Sequence, residues 1–373
     1  MSNLGMELKE FDEEDFLNQC GINSSRSKTV AKTSITIFND WCVEQGYTKD
    51  RVIEQYLVWF NNPKPDVRKI CLSLNNFVIF LTKEKILING TTSKAKSPKT
   101  IMLYLSFIKS YLRKVHDIKL TSEDFKDYIT IPKVRKEQRR PISIIQLKQI
   151  MNNASPQRRA LYYTLISSGM RLGEALSLTK KNFHFDEMPV RITLEAENTK
   201  TKESRETFIS SEAVEKIRPL IEFAKEDDNF FVVSQIKTSK DLAYYVSNED
   251  RVFGFLRKKL NMLEKYPNSS RYTVNLHSFR AYFHTKASQK HGSDYANALD
   301  GHGAYLKQYY REDPKERAKK YLELESSLLI ESVKIEADQV NSKLMSDMQD
   351  QLAKMQDEID RLKKYPQMEL LSQ

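Results

Sequence analysis

The stretch Ser168-Gly-Met-Arg-Leu-Gly-Glu-Ala-Leu-Ser-Leu178 joins two apolar helical segments at a glycine-containing corner. Residues 160–166 form the first segment, and Gly169 then interrupts its period. Arg171 stands at the head of the second segment, which places its guanidinium on a rigid, half-buried corner. A buried arginine is costly unless it is paired or binds an anion, and Glu174 lies one helical turn further as a partner. The stretch therefore predicts either a structural Arg–Glu pair or an arginine that is held ready for an anion.

Composition indicates a basic protein with more than one domain. The chain has 373 residues, of which 29% are charged, and a formal net charge of +10. Because domains commonly contain roughly 100–200 residues, this length allows two domains and an extension. A basic balance of this kind suits a nucleic-acid partner.

The cysteines and the apolar runs bear on where the protein is found. Cys20, Cys42 and Cys71 lie in the first fifth of the chain without metal-ligand spacing, which is typical of reduced thiols in an intracellular protein. No apolar run approaches the roughly 18 residues of a membrane span, and the N-terminus lacks a signal-peptide pattern. We therefore expect a soluble, cytoplasmic protein with no membrane partner.

Helical periodicity predicts an all-helical domain over residues 21–130, after a flexible N-terminus of residues 1–20. The apolar residues recur at helical spacing in residues 29–42, 50–60, 66–84 and 100–115. The loop before the last of these segments carries Lys94, Lys96 and Lys99. Lysines near a helix start suit phosphate contacts, and they fit a solvated face equally well.

A basic linker, residues 131–142, follows the helical domain. Prolines at both ends favour an extended chain over a helix. Such a linker can follow a DNA backbone through salt-sensitive contacts or can serve only as a surface connection, and we favour the first interpretation. Its cations are Lys133, Arg135, Lys136, Arg139 and Arg140.

A second domain, residues 143–325, is predicted to combine helices with a small sheet. Residues 190–194 and 206–210 alternate in polarity and flank a polar hairpin tip. In residues 326–373, apolar side chains recur every three or four positions, which predicts a coiled coil or a long amphipathic helix. This tail either joins protomers or folds back onto the body. The fold class is therefore mainly α with a small β-sheet (α+β).

The second domain contains a set of residues suited to phosphoryl transfer. Arginines can hold the non-bridging oxygens, a lysine or histidine can protonate the leaving oxygen, and a tyrosine can be the nucleophile. The sequence shows no zinc-binding histidine spacing, no P-loop and no dinucleotide-binding fingerprint. The set comprises Arg171, Lys200, His277, Arg280, His302 and a tyrosine at position 309 or 310.

Five motifs occur in an order that resembles the tyrosine recombinase, or phage integrase, superfamily. They are Ser-Gly-Met-Arg-Leu-Gly-Glu-Ala-Leu (168–176), Thr-Lys-Thr (199–201), Leu-His-Ser-Phe-Arg (276–280), Asp-Gly-His-Gly (300–303) and Gln-Tyr-Tyr-Arg (308–311). The resemblance covers roughly Lys136 to Tyr310, and the preceding helical domain looks more loosely like the core-binding domain of the family. The last motif looks like that of archaeal members.

The resemblance implies roles for individual residues. Arg171 and Arg280 would bind the scissile phosphate, and Glu174 would support Arg171. Lys200 would be the general acid toward the 5′-oxygen, with Lys202 in the same hairpin tip as its rival.

The histidines and tyrosines complete the implied site. His277 and His302 would assist by proton handling and hydrogen bonding. The gap between His302 and the tyrosine is shorter than in most members, and two tyrosines are adjacent. Successive helical residues point about 100° apart, so only one tyrosine can face the phosphate. The archaeal pattern, a tyrosine followed by a variable residue and arginine, selects Tyr309, whereas the smallest deletion selects Tyr310; we predict Tyr309.

The resemblance implies a DNA strand transferase that forms a 3′-phosphotyrosine and exchanges strands through a four-way junction. Double-stranded DNA would be the partner, four protomers would form the synapse, and no metal or nucleotide cofactor would be needed. We expect an integrase of a mobile element. The alternatives are a Xer-like dimer resolvase, a type IB topoisomerase-like enzyme and a non-catalytic DNA-binding protein. The segment Pro314 to Ile330 and the tail are expected to make contacts between protomers.

Overall fold

The computed structural model describes residues 10–86, 92–133, 140–199, 202–232, 234–266, 270–302 and 312–331, with residues 355, 356 and 359. The chain forms two compact units that divide after Lys136, inside the linker expected from the sequence. Each unit has its own apolar core. Of the helices in these ranges, none combines the length and the apolar character that a membrane span requires.

The first unit is a helical bundle with one short β ladder. Its elements are α1 (Glu13–Gly21), α2 (Ser25–Glu44), α3 (Lys49–Phe60), α4 (Val67–Thr82), β1 (Lys85–Ile86), β2 (Thr92–Ser93), α5 (Pro98–Val115) and α6 (Ser122–Tyr128). The four predicted helical segments are confirmed as α2 to α5. The antiparallel ladder of β1 and β2 was not predicted, because two residues per strand are too few to show an alternating pattern.

Helix α1 lies inside the stretch that was expected to be flexible. Asp12 and Asp15 form a capping box at its start, and Phe16 is fully buried against Tyr111, with ring centroids 5.6 Å apart. Glu13 forms an ion pair with Lys49 and accepts a hydrogen bond of 3.0 Å from the Tyr111 hydroxyl. Although the segment is acidic, it contains one buried apolar side chain, Phe16, whose burial stabilises the helix by about 1.5–3 kcal/mol.

The second unit packs helices around a three-stranded antiparallel sheet. Its elements are α7 (Ile144–Asn153), α8 (Pro156–Ser168), α9 (Leu172–Leu176), β3 (Phe183–His184), β4 (Val190–Leu194), β5 (Arg205–Ile209), α10 (Ser211–Glu222), α11 (Ser239–Lys259), α12 (Leu276–His291), α13 (Ser293–Asp300) and α14 (Pro314–Glu325). The sheet order is β3-β4-β5, with Val190 opposite Ile209 and Leu194 opposite Arg205. Val190, Ile192 and Leu194 are buried, as the alternation predicts. The mainly helical fold with a small sheet is therefore confirmed.

The segment that contains α14 packs within its own unit. Tyr321 is fully buried and its hydroxyl donates to the Ser167 carbonyl at 2.7 Å. Leu328 and Ile330 are buried in the same core, which therefore extends beyond residue 325, where the second domain was expected to end. The apolar side of this segment is thus used inside the chain, and the expected contact with another protomer stays a prediction. Apart from residues 355, 356 and 359, the tail beyond Glu331 lies outside the described residues.

Gly169 makes the corner between α8 and α9 and allows a close helix contact. Its φ of 65° is left-handed, a conformation that costs a residue with a side chain about 1–2 kcal/mol. A Cβ at this position would lie 2.2 Å from Cδ1 of the fully buried Phe283 ring on α12. The corner that carries Arg171 therefore requires a residue without a side chain for two reasons, backbone conformation and contact with α12.

We expect Gly169→Ala to lower the free energy of unfolding by about 3 kcal/mol, because the methyl group adds an overlap with a buried ring to the backbone strain. Urea unfolding of the full chain measures the loss. Gly46→Ala is the control: its φ is 83°, and a Cβ there meets no described atom within 4 Å, so a loss of about 1 kcal/mol is expected. Equal losses in the two variants would contradict the proposed ring contact.

Candidate functional site

Arg171 is held at the first turn of α9 by Glu174. The Arg171 backbone N–H donates to Glu174 Oε2 at 2.8 Å, and Arg171 Nη1 donates to Glu174 Oε1 at 2.8 Å. Arg171 Nη2 donates to the Gly301 carbonyl at 3.2 Å, which connects α9 to the end of α13. The Arg171 side chain is 27% exposed, whereas Glu174 is 2% exposed. The predicted Arg–Glu pair is therefore confirmed, and its arginine reaches the surface.

Glu174 is shared with a second arginine, Arg205, which the sequence analysis did not identify. Arg205 Nη1 and Nη2 donate to Glu174 Oε1 and Oε2 at 3.1 and 2.5 Å, and Arg205 Nε donates to the Leu299 carbonyl at 3.1 Å. The Arg205 side chain is only 4% exposed. Its position at the start of an amphipathic strand provides no sequence signal, since the partner carboxylate lies 31 residues earlier in the chain.

The charges at this corner determine the protonation of Glu174. Burial raises the pKa of the Glu174 carboxyl, but hydrogen bonds and charge from Arg205, with further hydrogen bonds from Arg171, lower it more. The net pKa lies below the ordinary value of 4.5. Glu174 is therefore ionised at neutral pH and stabilises the folded state in that form.

Arg280 on α12 lies on the other side of the same corner. It is 2% exposed, and its Nη1 donates to the Gly169 carbonyl at 2.6 Å. Nη2 lies 3.1 Å from His302 Nδ1 and 3.5 Å from Asp300 Oδ1. Burial lowers the pKa of this guanidinium to about 10, although the charge of Asp300 acts in the opposite direction. Arg280 thus remains a cation at neutral pH in a mostly dry position.

His302 and His284 share the carboxylate of Asp300, which is fully buried. Asp300 Oδ2 lies 2.8 Å from His302 Nδ1 and 2.8 Å from His284 Nδ1, and Asp300 Oδ1 accepts the His302 backbone N–H at 2.9 Å. The imidazole centroids are 5.4 Å apart, and the side chains of His302 and His284 are 50% and 33% exposed. Neither Asp300 nor His284 was among the predicted site residues, although Asp300 belongs to the Asp-Gly-His-Gly motif and His284 lies one helical turn after Arg280.

These three residues also have donor atoms of metal-binding type, within 4.8 Å of one another. The Nδ1 atom of each imidazole, however, lies at hydrogen-bond distance from the carboxylate, and the Arg280 cation lies beside His302 Nδ1. A metal ion would have to displace those hydrogen bonds and accept a neighbouring positive charge. Hydrogen bonding within the cluster accounts for its geometry without a metal.

The structure describes only some of the other predicted catalytic residues. His277 is exposed in the first turn of α12, three residues before Arg280. Lys202, the rival general acid, has a φ of 57° and donates from Nζ to the Glu197 carbonyl at 3.4 Å. Lys200, Tyr309 and Tyr310 lie outside the described residues. The structure therefore brings together Arg171, Glu174, Arg280 and His302.

The predicted DNA-contacting cations are divided between the two units. Lys94 and Lys99 are exposed, whereas Lys96 is half-buried and its backbone N–H donates to the Leu81 carbonyl. Lys133 is exposed at the end of the first unit. Arg140 is exposed and lies 3.6 Å from Glu264 in the second. Arg135, Lys136 and Arg139 lie outside the described residues.

Comparison with known proteins places this site in a recognised sequence domain. Residues 140–303 match the phage integrase family. This range contains Arg171, Lys200, His277, Arg280 and His302, and it ends before both tyrosines. No curated protein sequence is significantly similar to the chain.

The fold is similar to solved recombinase structures. A lambda integrase (75–356) dimer bound to a COC′ core site matches with a TM-score of 0.50 and 14% identity, over 81% of this chain and 93% of that chain. A Tn1549 transposon integrase in complex with circular intermediate DNA matches with a TM-score of 0.43 and 16% identity, over 73% of this chain and 90% of that chain. XerA recombinase matches with a TM-score of 0.36 and 17% identity, over 79% of this chain and 98% of that chain. The similarity to lambda integrase shows that this chain shares its fold.

We expect Glu174→Gln to lower the free energy of unfolding by about 3 kcal/mol at pH 7, because two arginines lose their shared counter-charge. Since the pKa of Glu174 is lowered in the folded state, its contribution is present above pH 4.5 and is lost as the pH falls through the folded value. The difference from the wild type should therefore shrink in acid, which urea unfolding at pH 7 and pH 4 measures.

Glu195→Gln is the matched control, because Glu195 is exposed in the same unit and should change stability by less than about 0.5 kcal/mol. A Glu174→Gln deficit that stays constant across this pH range would contradict the charge-based explanation.

Proposed function

We propose that this protein is a tyrosine site-specific recombinase that breaks and rejoins duplex DNA. The supporting observation is an excess of positive charge at a buried corner. Among the described residues there, three guanidinium groups (Arg171, Arg205 and Arg280) face two carboxylates (Glu174 and Asp300). Arg280 Nε is buried and has no acceptor in the described part of the chain. Such an excess is stabilised by an anion, and phosphate oxygens match the planar donors of arginine.

In the proposed reaction, a tyrosine hydroxyl attacks the scissile phosphorus, and the bond from phosphorus to the 5′-oxygen breaks. The product is a 3′-phosphotyrosine and a free 5′-hydroxyl. His302 accepts the proton of the tyrosine hydroxyl, and Lys200 donates a proton to the leaving 5′-oxygen. Tyr309 is proposed as the nucleophile, with Tyr310 as its rival.

The remaining site residues stabilise the charge that develops during this step. Arg171 and Arg280 hold the non-bridging oxygens, with Glu174 keeping Arg171 in one rotamer, and His277 supplies a further hydrogen bond to the phosphate. Attack by the 5′-hydroxyl of a second strand reverses the chemistry and releases the tyrosine. Since the phosphotyrosine retains the energy of the phosphodiester, the reaction requires neither a metal nor a nucleotide.

Double-stranded DNA is the proposed partner, with four protomers in the synapse. The net charge of +10, the basic linker and the shared fold of lambda integrase, which was solved on a core site, support DNA binding. The tyrosine segment, which is like that of archaeal members, and the long tail favour an integrase of a mobile element over a Xer-like resolvase. Joining of two different duplexes would distinguish an integrase or a resolvase from a type IB topoisomerase-like enzyme, which only relaxes a single supercoiled duplex.

A covalent protein–DNA adduct tests the chemistry. Duplexes are selected for binding from a random library, nicked at successive positions so that the cleaved fragment diffuses away, and incubated with the full chain. After denaturation and digestion, we expect mass spectrometry to find a 3′-phosphopeptide on Tyr309.

Tyr309→Phe and Tyr310→Phe control each other, because each removes one hydroxyl from the same segment. We expect Tyr309→Phe to abolish the adduct and Tyr310→Phe to retain it, with DNA binding unchanged in both. The opposite pattern would assign the attack to Tyr310. Absence of an adduct in the wild type, with binding intact, would leave a non-catalytic DNA-binding protein.

The basic linker is expected to bind the DNA backbone. Replacing Lys133, Arg135, Lys136, Arg139 and Arg140 with glutamine should weaken binding to all duplexes. Because each phosphate contact contributes about 0.9 to the slope of log K against log salt concentration, the slope should fall by up to about 4.5. Fluorescence anisotropy of a labelled duplex across a salt series measures the slope.

The control replaces five exposed cations elsewhere with glutamine, so that net charge changes equally. These are Arg26, Lys28, Lys32, Lys315 and Lys319. Identical slopes in the two variants would show that the linker is only a surface connection.

A further inference from the structure

Asp300 is a buried carboxylate that belongs to the Asp-Gly-His-Gly motif (300–303), but the proposed reaction assigns it no step. It is fully buried at the end of α13, yet two imidazoles and a guanidinium converge on it from His284, His302 and Arg280. An unpaired carboxylate in such a position would be strongly unfavourable, so these three groups stabilise it and fix its orientation.

The distances restrict the tautomer of both imidazoles. An ionised carboxylate only accepts hydrogen bonds. Because Asp300 Oδ2 lies 2.8 Å from Nδ1 of His302 and of His284, each Nδ1 must carry a proton and donate it. In a neutral imidazole with Nδ1 protonated, Nε2 keeps its lone pair. The carboxylate therefore leaves His302 Nε2 as the nitrogen available for proton transfer.

Arg280 is compatible with this assignment. Its Nη2 lies 3.1 Å from His302 Nδ1, but a protonated Nδ1 cannot accept a hydrogen bond from it. The guanidinium instead faces Asp300 Oδ1 at 3.5 Å, close enough for its charge to be balanced. Asp300 thus acts on two of the residues to which the proposed reaction assigns roles at the phosphate.

We propose that Asp300 is a positioning residue that fixes the Nδ1-protonated tautomer of His302 and balances the charge of Arg280, and that His284 fixes the carboxylate through a second hydrogen bond. This inference rests on the proposed recombinase function. When tyrosine attacks, its proton passes to Nε2 of His302, and the resulting imidazolium keeps its Nδ1–H hydrogen bond to the ionised Asp300. A carboxylate that accepts a hydrogen bond from Nδ1–H of a histidine orients the ring and stabilises the imidazolium.

A role limited to local structure is the alternative. Asp300 Oδ1 also accepts the His302 backbone N–H at 2.9 Å, which is a turn-stabilising contact. That contact alone would make Asp300 important for stability and would leave the imidazole tautomer unaffected. The tautomer is therefore the property that separates the two explanations.

The first experiment compares Asp300→Asn with Asp294→Asn in the full chain. Asp294 is an exposed aspartate in the first turn of the same helix and outside the site. Long-range proton–nitrogen spectra of protein with ¹⁵N-labelled histidine report the tautomer of each of the six histidines without DNA. We expect His302 to be Nδ1-protonated in the wild type and in Asp294→Asn, and to lose that preference in Asp300→Asn, whose amide can donate as well as accept.

The second readout is the rate of adduct formation on the selected nicked duplexes. Asp300→Asn should slow it by about 100-fold, while duplex affinity stays within about threefold of the wild type. An unchanged His302 tautomer together with an unchanged rate would overturn the inference. Absence of an adduct in the wild type would instead refute the recombinase function, and the spectra would still report whether Asp300 fixes the tautomer.

His284 is tested by two substitutions, because a change at buried Asp300 can also affect folding. Nδ2 of asparagine occupies the position of histidine Nδ1, so His284→Asn keeps the hydrogen bond to Asp300, whereas His284→Leu removes it. We expect His284→Asn to form the adduct within about threefold of the wild-type rate and His284→Leu to be slower by about tenfold. Equal rates for the two variants would exclude His284 from the positioning of the carboxylate.

Discussion

The structure of this site depends on one buried carboxylate, Glu174, that is bound by two arginines. Arg171 approaches it from the same helical turn, and Arg205 approaches from the first residue of β5. Removing water from such groups is expensive, so the arrangement is stable only when all three are present with good hydrogen-bond geometry. As a result α9 and β5 are tied to a single point, and Arg171 has little freedom to leave the position from which it reaches the surface.

A second buried carboxylate, Asp300, repeats this logic on the other side of the corner. It faces Arg280 and two imidazoles, while the Gly301 carbonyl next to it accepts from Arg171 and the Leu299 carbonyl accepts from Arg205. The end of α13 therefore contacts the two arginines that bind Glu174 and also Arg280. Positive groups held by buried partners do not need to reorganise when charge develops on a substrate, and this preorganisation is a main source of electrostatic catalysis.

The described part of the site carries one more positive charge than negative charge before either histidine is considered. Burial already lowers the pKa of Arg280 to about 10, so this guanidinium is less favourably solvated than an exposed one. A bound anion would compensate for that loss. The hydrogen bond from Arg280 Nη1 to the Gly169 carbonyl holds the guanidinium away from water.

Local sequence determined the elements of this protein. Apolar spacing in residues 50–60 and 66–84 predicted α3 and α4, alternation predicted β4, and the pattern Gly169 to Glu174 predicted the corner with its Arg–Glu pair, because these features involve neighbours within one or two turns. The apolar anchor Phe16 and the two-residue strands were missed, since one residue or two do not establish a period. The roles of Arg205, His284 and Asp300 were missed for a different reason. Arg205 pairs with residues 31 and 94 positions away, and His284 pairs with Asp300 16 positions away, so these pairings exist only after α9, β5, α12 and α13 have packed. The sequence by itself therefore determined which residues are candidates to act on a phosphate and that Glu174 pairs with Arg171, and the tertiary structure decided that Arg205 shares Glu174 and that Asp300 lies against Arg280 and His302.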